Sequence, residues 1–311
     1  MRTAIIGLGV IGKVHMGEML ECSNVVAICD IDESKRALYP DLPFYTDYKV
    51  MLDEVKPDVV HIATPHYLHA EMAVYALDRN INVLCEKPLA INEEQLGAIL
   101  TAEKNSKAIL GVCQQNRFNP NNAFVKEYLK DKKSVVGVGI VPWNRDKAYY
   151  DSAEWRGKWA TEGGGVLINQ ALHTLDLLIW YCGAPTSQIS TIDTISLSEV
   201  IEVEDTAVIS AKTEKGGFTF FATNSTPKNM PVEITLNADG NTVKLLPDMA
   251  IINGEVTRFE SRKALGKVCY GSSHAVLIRE FYNSVSRGEK FCISGIDGAT
   301  VVRSILSCYK K

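Results

Sequence analysis

Near the start of the chain, Gly7-Leu8-Gly9-Val10-Ile11-Gly12 sets three glycines at the spacing Gly-x-Gly-x-x-Gly. An apolar run (3–6) precedes them, and Met16, Met19 and Leu20 follow at helical spacing. Between a strand and a helix, with an acidic residue about 20 positions on, this spacing reads as a phosphate cradle. Gly7 permits a tight turn, Gly9 lets backbone approach a pyrophosphate, and Gly12 lets helix and strand pack closely. Val10 and Ile11 open the helix, whose free N–H groups and positive dipole end would face the phosphates. Asp30 ends the second apolar run (25–29), followed by Ile31. A carboxylate there can accept both ribose hydroxyls of an adenosine. It would repel a 2′-phosphate, and Asp32 adds to that repulsion. No arginine adjoins Asp30, and Lys35 and Arg36 come a turn later. NAD is therefore expected over NADP.

A second set of residues follows two later apolar runs. Ala63-Thr64-Pro65, with His66 and His69 beyond, closes the run 59–63, and Glu86-Lys87-Pro88 closes the run 82–85. In a doubly wound sheet both fall at the carboxyl ends of strands, where ligands bind. A lysine fixed between an acid and a proline at such an edge is an odd choice for a solvated surface. The proline biases its backbone to extended geometry and makes a cis peptide possible. Ala63, Thr64, Pro65, His69, Glu86 and Lys87 thus join the expected cofactor-binding set. Further on, residues 166–182 read as one strongly apolar, buried helix. At 100° per residue Asn169, His173 and Asp176 would share a stripe about 60° wide, and buried polar groups there must find partners or line a cavity. Asp176 is read as orienting His173 or capping another segment. His15 reads as structural; His61 and His274 are given no role.

These residues need elements to hold them. Up to about residue 117, continuous apolar runs alternate with helical patterns, with Asn92 and Gln95 as a capping pair. That implies a parallel sheet covered on both faces. After it, a strand at 134–142, a polar and aromatic stretch at 143–165 and the helix 166–182 are followed by alternating strands. Lys215-Gly216-Gly217, Asp239-Gly240 and Asn253-Gly254 mark the turns. Two helices finish the chain, near 274–287 and 297–308. The expected fold class is α/β, with two domains: 1–117 for the dinucleotide, and 118–311 for substrate and oligomerisation, built on an open, mainly antiparallel sheet.

Composition narrows the function classes. The 311 residues carry 33 Lys+Arg against 37 Asp+Glu, a net charge of −4. A mildly acidic chain is a poor binder of polyanions, so neither nucleic acid nor an anionic membrane is expected as a partner. No apolar run approaches the ~18 residues of a membrane span, and the start reads straight into a strand, with no signal peptide. Eight cysteines include no Cys-x-x-Cys pair. They read as reduced core thiols of a cytoplasmic protein, with no metal site expected.

Taken together, Gly7–Gly12, Asp30, Thr64-Pro65, Glu86-Lys87-Pro88, Asn116-Arg117-Phe118 and Gly163-Gly164-Gly165 followed by Asn169, His173 and Asp176 resemble the Gfo/Idh/MocA family (glucose–fructose oxidoreductase, inositol dehydrogenase) over essentially the whole chain. The resemblance implies an N-terminal Rossmann domain, a C-terminal α/β domain, a nicotinamide cofactor and carbohydrate or cyclitol substrates. The family's catalytic lysine maps onto Lys87 and its histidine onto His173. Many polyol-oxidising members carry aspartate four residues before that histidine; this chain has Asn169, which can orient a hydroxyl but not take its proton. Some sugar-nucleotide dehydrogenases of the family share the Asn-Gln pair. The reaction so implied is hydride transfer between a carbohydrate-type hydroxyl or carbonyl and NAD. Lys87 would act as base or acid, His173 would share the proton, and Asn169 would hold the hydroxyl. Arg145, Tyr149 and Arg156 are expected at the substrate, as aromatic face for a sugar ring and as cations for a phosphate or carboxylate, with Arg117 either substrate-facing or an anchor. Redox-neutral lysis or epimerisation, and a non-catalytic NAD-binding regulator, are the alternatives. An open sheet needing cover suggests a homodimer or homotetramer.

Overall fold

The computed structural model describes residues 1–260 and 273–310. These form two compact units: 1–115 with 273–299, and 116–260 with 300–310. The strands are β1 (Arg2–Ile6), β2 (Asn24–Cys29), β3 (Phe44–Tyr45), β4 (Val59–Ile62), β5 (Asn82–Cys85), β6 (Leu110–Val112), β7 (Val135–Pro142), β8 (Pro185–Asp193), β9 (Thr206–Thr213), β10 (Gly216–Thr223), β11 (Glu233–Ala238), β12 (Asn241–Leu246), β13 (Met249–Ile252) and β14 (Glu255–Arg258). The α-helices are α1 (Val10–Cys22), α2 (Tyr48–Val55), α3 (His69–Leu77), α4 (Glu93–Asn105), α5 (Pro120–Tyr128), α6 (Lys147–Asp151), α7 (Leu172–Cys182), α8 (His274–Arg287) and α9 (Gly295–Tyr309).

In the first unit, six parallel strands run in the order β3-β2-β1-β4-β5-β6. The chain's direction of winding reverses between β1 and β4, which puts a crevice at their carboxyl ends. Continuous apolar strands demand cover on both faces, and β4 is buried along its whole length. The Asn92 side chain caps α4 by accepting the Gln95 N–H at 2.9 Å, while the Gln95 side chain accepts the N–H of Ile91.

The expectation that everything after residue 117 forms one domain is corrected by α8. Its buried stripe of His274, Leu277, Ile278, Phe281 and Tyr282 has helical spacing and must be covered. It packs on α1 and β5 of the first unit. Phe281 lies against β6 so closely that a Cβ on Gly111 would meet its ring at 2.7 Å.

The second unit is an eight-stranded sheet ordered β14-β13-β12-β11-β7-β10-β9-β8. Every pair is antiparallel except β7 with β10. Asp239-Gly240 and Asn253-Gly254 take the left-handed backbone of two-residue hairpin turns, as their residue types foretold. Helix α7 packs on β7 and β10. On the other face, alternate residues of the central strand β7, Val136, Val138 and Ile140, remain exposed.

Candidate active site

In the first unit the glycine loop is built as its spacing implied. Gly7 has φ +96°, and a Cβ there would lie 2.4 Å from the Ala63 carbonyl oxygen. Only glycine fits a left-handed backbone this close to another strand. Gly9 caps α1 with no side-chain hydrogen bond, and no acid stands in the helix's first turn. A Cβ built on Gly9 would meet nothing within 4 Å. Among the described residues no side chain caps the first-turn N–H groups of α1, which fits a site for a dinucleotide pyrophosphate. Val10 and Ile31 are exposed at this edge. Asp30 is fastened to the loop: it accepts the Leu8 N–H at 2.7 Å and the Asp32 N–H at 3.0 Å. The sequence placed Lys35 a turn away. The short 3₁₀ turn capped by Asp32 brings its ammonium back to 2.9 Å from the Asp30 carboxylate.

The loops after β4 and β5 are tied together by His69. One ring nitrogen lies 2.7 Å from the Pro88 carbonyl oxygen and the other 2.8 Å from that of Thr64. Burial pushes the His69 pKa down, against the pull of these two carbonyls. A neutral ring holds one N–H, so it bonds one carbonyl at a time. Its placement makes His69 a clamp between the Thr64-Pro65 and Lys87-Pro88 segments. The Lys87-Pro88 bond is cis. Lys87 is half-buried, and its N–H donates to the Glu86 carboxylate at 3.2 Å. Burial pushes the Glu86 carboxyl up, but His15 and His274 beside it outweigh this and hold it well below the ordinary carboxylate range.

In the second unit the structure corrects the 166–182 helix. Residues 166–171 are turns, and α7 starts only at Leu172. Glu204, a buried residue, braces these turns: its carboxylate accepts the N–H groups of Gly165 at 2.8 Å and Leu167 at 3.0 Å, and the Tyr309 hydroxyl at 2.9 Å. The Val166 N–H bonds the Glu204 carbonyl as well. A Cβ on Gly165 would lie 1.8 Å from that carbonyl oxygen. Asn169 therefore sits on a turn braced by Glu204, a loop residue just before β9, and the expected shared stripe with His173 and Asp176 does not form. His173 is half-buried in the first turn of α7. Asp176 forms a two-point pair with Arg117. It accepts both Nε, at 2.9 Å, and Nη2, at 2.6 Å, of Arg117. The pair is buried on both sides.

Four of the predicted residues do converge. The Tyr149 hydroxyl accepts from Asn169 at 3.2 Å, from Gln170 at 3.0 Å and from Arg156. The guanidiniums of Arg145 and Arg156 lie 5.0 and 4.3 Å from the Tyr149 ring centre, in reach of a cation–π contact. Asn169 also donates to Glu162, a fully buried carboxylate whose other oxygen accepts the Gly157 N–H at 2.5 Å. The result is an aromatic platform with two cations and an amide fixed beside it.

Residues 1–114 match the model of the oxidoreductase family with an NAD-binding Rossmann fold, and residues 136–242 match the GFO/IDH/MocA C-terminal domain. The chain belongs to the Gfo/Idh/MocA family. Among curated members, D-glucoside 3-dehydrogenase of Escherichia coli is 30% identical over 202 residues, 60% of this chain and 55% of that protein. Inositol 2-dehydrogenase of Salmonella paratyphi B is 25% identical over 189 residues, 58% of this chain and 54% of that protein. The matches thus span about half the length of these relatives. The WlbA dehydrogenase of Bordetella pertussis, solved with NADH and UDP-GlcNAcA, superposes with a TM-score of 0.84 at 26% identity, over 99% of this chain and 95% of that one.

For this member of the family, sequence reasoning missed Glu162, Gln170 and Glu204. Glu162 had one signal, an acid directly before three glycines. Glu204 had none, because its role depends on a contact 39 residues away along the chain.

Proposed function

We propose that this chain is an NAD-dependent dehydrogenase or reductase of a sugar, cyclitol or sugar nucleotide. One observation carries the reading: the uncapped first turn of α1 opens above Gly9, with the Asp30 carboxylate bonded to the same loop. The loop and α1 would hold the pyrophosphate, and Asp30 the adenosine ribose. When bound, the nicotinamide supplies the hydride-accepting or hydride-donating carbon. Lys87 exchanges the proton of the substrate hydroxyl, with its backbone held by Glu86. Its charge next to a cationic cofactor would draw its proton affinity toward neutrality. His173 shares that proton and Asn169 holds the hydroxyl. The Tyr149 ring supports the sugar face, flanked by the cations of Arg145 and Arg156. The named activities of the E. coli and Salmonella relatives and the ligands of the Bordetella structure support this range of substrates.

The deciding experiment incubates the purified chain with NAD or NADP and a panel of sugars, glycosides, cyclitols and nucleotide sugars, and reads NADH absorbance. Accumulating NADH with one substrate class is the expected result. Substrate loss without NADH would favour redox-neutral lysis or epimerisation, and binding without turnover a regulator. We further infer a homodimer or homotetramer in which a second copy covers the exposed apolar face of β7. No described helix is long and apolar enough to cross a membrane. The seven described cysteines are all free, which supports a reducing, cytoplasmic setting.

A further inference from the structure

Behind Glu86 the first unit holds an unbroken line of buried polar side chains. Glu86 Oε1 lies 2.9 Å from His15 Nε2, His15 Nδ1 lies 2.8 Å from His61 Nδ1, and His61 Nε2 lies 2.8 Å from the Tyr282 hydroxyl. All four residues are buried. The line starts at the carboxyl end of β5 and crosses the middle of β4. It reaches Tyr282 beside the hydroxyls of Ser23 and Thr3, where β1 begins and Ser23 is partly open to solvent. None of these contacts is needed to complete a strand or a helix.

Donor and acceptor counting permits two states. An ionised Glu86 can only accept, so His15 must carry a proton on Nε2. If His15 is neutral, its Nδ1 accepts. His61 then donates from Nδ1 and accepts at Nε2, and the Tyr282 O–H donates. If one proton is added, His15 becomes an imidazolium that donates from both nitrogens. His61 then accepts at Nδ1 and donates from Nε2, and the tyrosine oxygen accepts. Every hydrogen bond survives in both states. They interconvert when a solvent hydronium ion gives a proton to the Tyr282 oxygen and becomes water, the tyrosine proton passes to His61 Nε2, and the His61 Nδ1 proton passes to His15 Nδ1. No atom is left short of a proton, and the gained charge rests beside the Glu86 carboxylate.

We propose that Tyr282, His61, His15 and Glu86 form a proton relay that carries a proton between solvent at the Ser23 end and His15, where its charge rests beside the Glu86 carboxylate. In its service to catalysis the relay rests on the dehydrogenase reading, in which the charge taken up by His15 would act through the Glu86 carboxylate on the adjoining Lys87. Other groups face the line. His274 lies 3.5 Å from Glu86, Cys113 Sγ lies 4.0 Å from His15 Nε2, and His69 and Lys87 stand near Glu86. Glu18 and Cys22 stand near Tyr282. Burial and the neighbouring His15 push the His61 pKa well down, in keeping with a ring that changes tautomer without ever becoming charged.

Nitrogen-15 NMR of histidine-labelled full-length chain, titrated through the histidine range, tests the relay without any substrate. The expected result is that His61 switches from the Nδ1–H to the Nε2–H tautomer as His15 takes up its proton. In Tyr282→Phe the added-proton state leaves a buried N–H without an acceptor. The His15 proton affinity should then fall about ten- to a hundred-fold, a midpoint one to two pH units lower. A His61 that keeps one tautomer throughout, or a His15 midpoint unmoved in Tyr282→Phe, would overturn the relay. So would one equivalent of zinc retained on His15 and Cys113. If Tyr282→Phe does not fold, the wild-type tautomer switch decides. With a substrate from the panel, Tyr282→Phe should lower kcat and shift its pH profile at constant KM; an unchanged kcat and profile would also refute the proposal. An empty panel would count against the dehydrogenase reading alone, because the tautomer measurement stands without turnover.

Discussion

On the proposed reading, the chemistry turns on Lys87 and Asp30, and each position can be tested by substitution. Replacing Lys87 with alanine removes a positioned acid–base group, so kcat should fall by ~10²–10⁴ while NAD still binds. Lys87→Arg keeps the charge but cannot release a proton near neutral pH, and should be equally slow. Steady-state rates beside calorimetric NAD titration check both, and near-native turnover in either would remove Lys87 from the mechanism. At Asp30 the Lys35 ammonium offsets the repulsion of a 2′-phosphate. Lys35→Ala should therefore weaken NADP binding about five-fold more than NAD binding, and an unchanged ratio of the two Kd values would refute this. Both positions stand out in the sequence because each follows an apolar run and belongs to a local motif. Lys35 was misjudged because the 3₁₀ turn that returns it to Asp30 leaves no apolar pattern.

The elements show the same contrast between local and distant causes. Strands and hairpins announced themselves through apolar runs and through pairs such as Asp239-Gly240, whose backbone needs belong to the residues themselves. The start of α7 did not, because an apolar run alone cannot report that the chain before Leu172 forms turns braced by Glu204 through the N–H groups of Gly165 and Leu167. Gly165→Ala would push a methyl group into the Glu204 backbone and should destabilise the protein by about 3 kcal/mol, measurable as a lower Tm. Burial also pushes the Glu204 carboxyl up to about 7, against the lowering pull of its hydrogen bonds. An acid raised in the folded state keeps its proton where the unfolded chain has lost it. Stability should then be fullest below about pH 4 and decline until about pH 7, by a few kcal/mol at most. Glu204→Gln has no such proton, so its denaturant midpoints should lack that decline. Parallel pH slopes for the two proteins would reject a raised Glu204.

For the whole molecule, the family's architecture was legible in the order of its elements, whereas the membership of 273–299 in the first unit was not. Nothing in the sequence of α8 says which sheet its apolar stripe will cover. On the second unit's sheet, Val136, Val138 and Ile140 stay exposed in the central strand. If a second copy covers them as proposed, a charge placed there by Val138→Glu should leave monomers with the fold retained, as read by light scattering and circular dichroism. A wild-type protein that is already monomeric would refute the covered face. The return of α8 to the first unit also sets an order of events during translation. The parallel sheet leaves the ribosome early, yet the helix that lies against α1 and β5 emerges more than 150 residues later. Until then the nascent sheet has one flank uncovered, so its safe folding depends on how quickly the rest of the message is read.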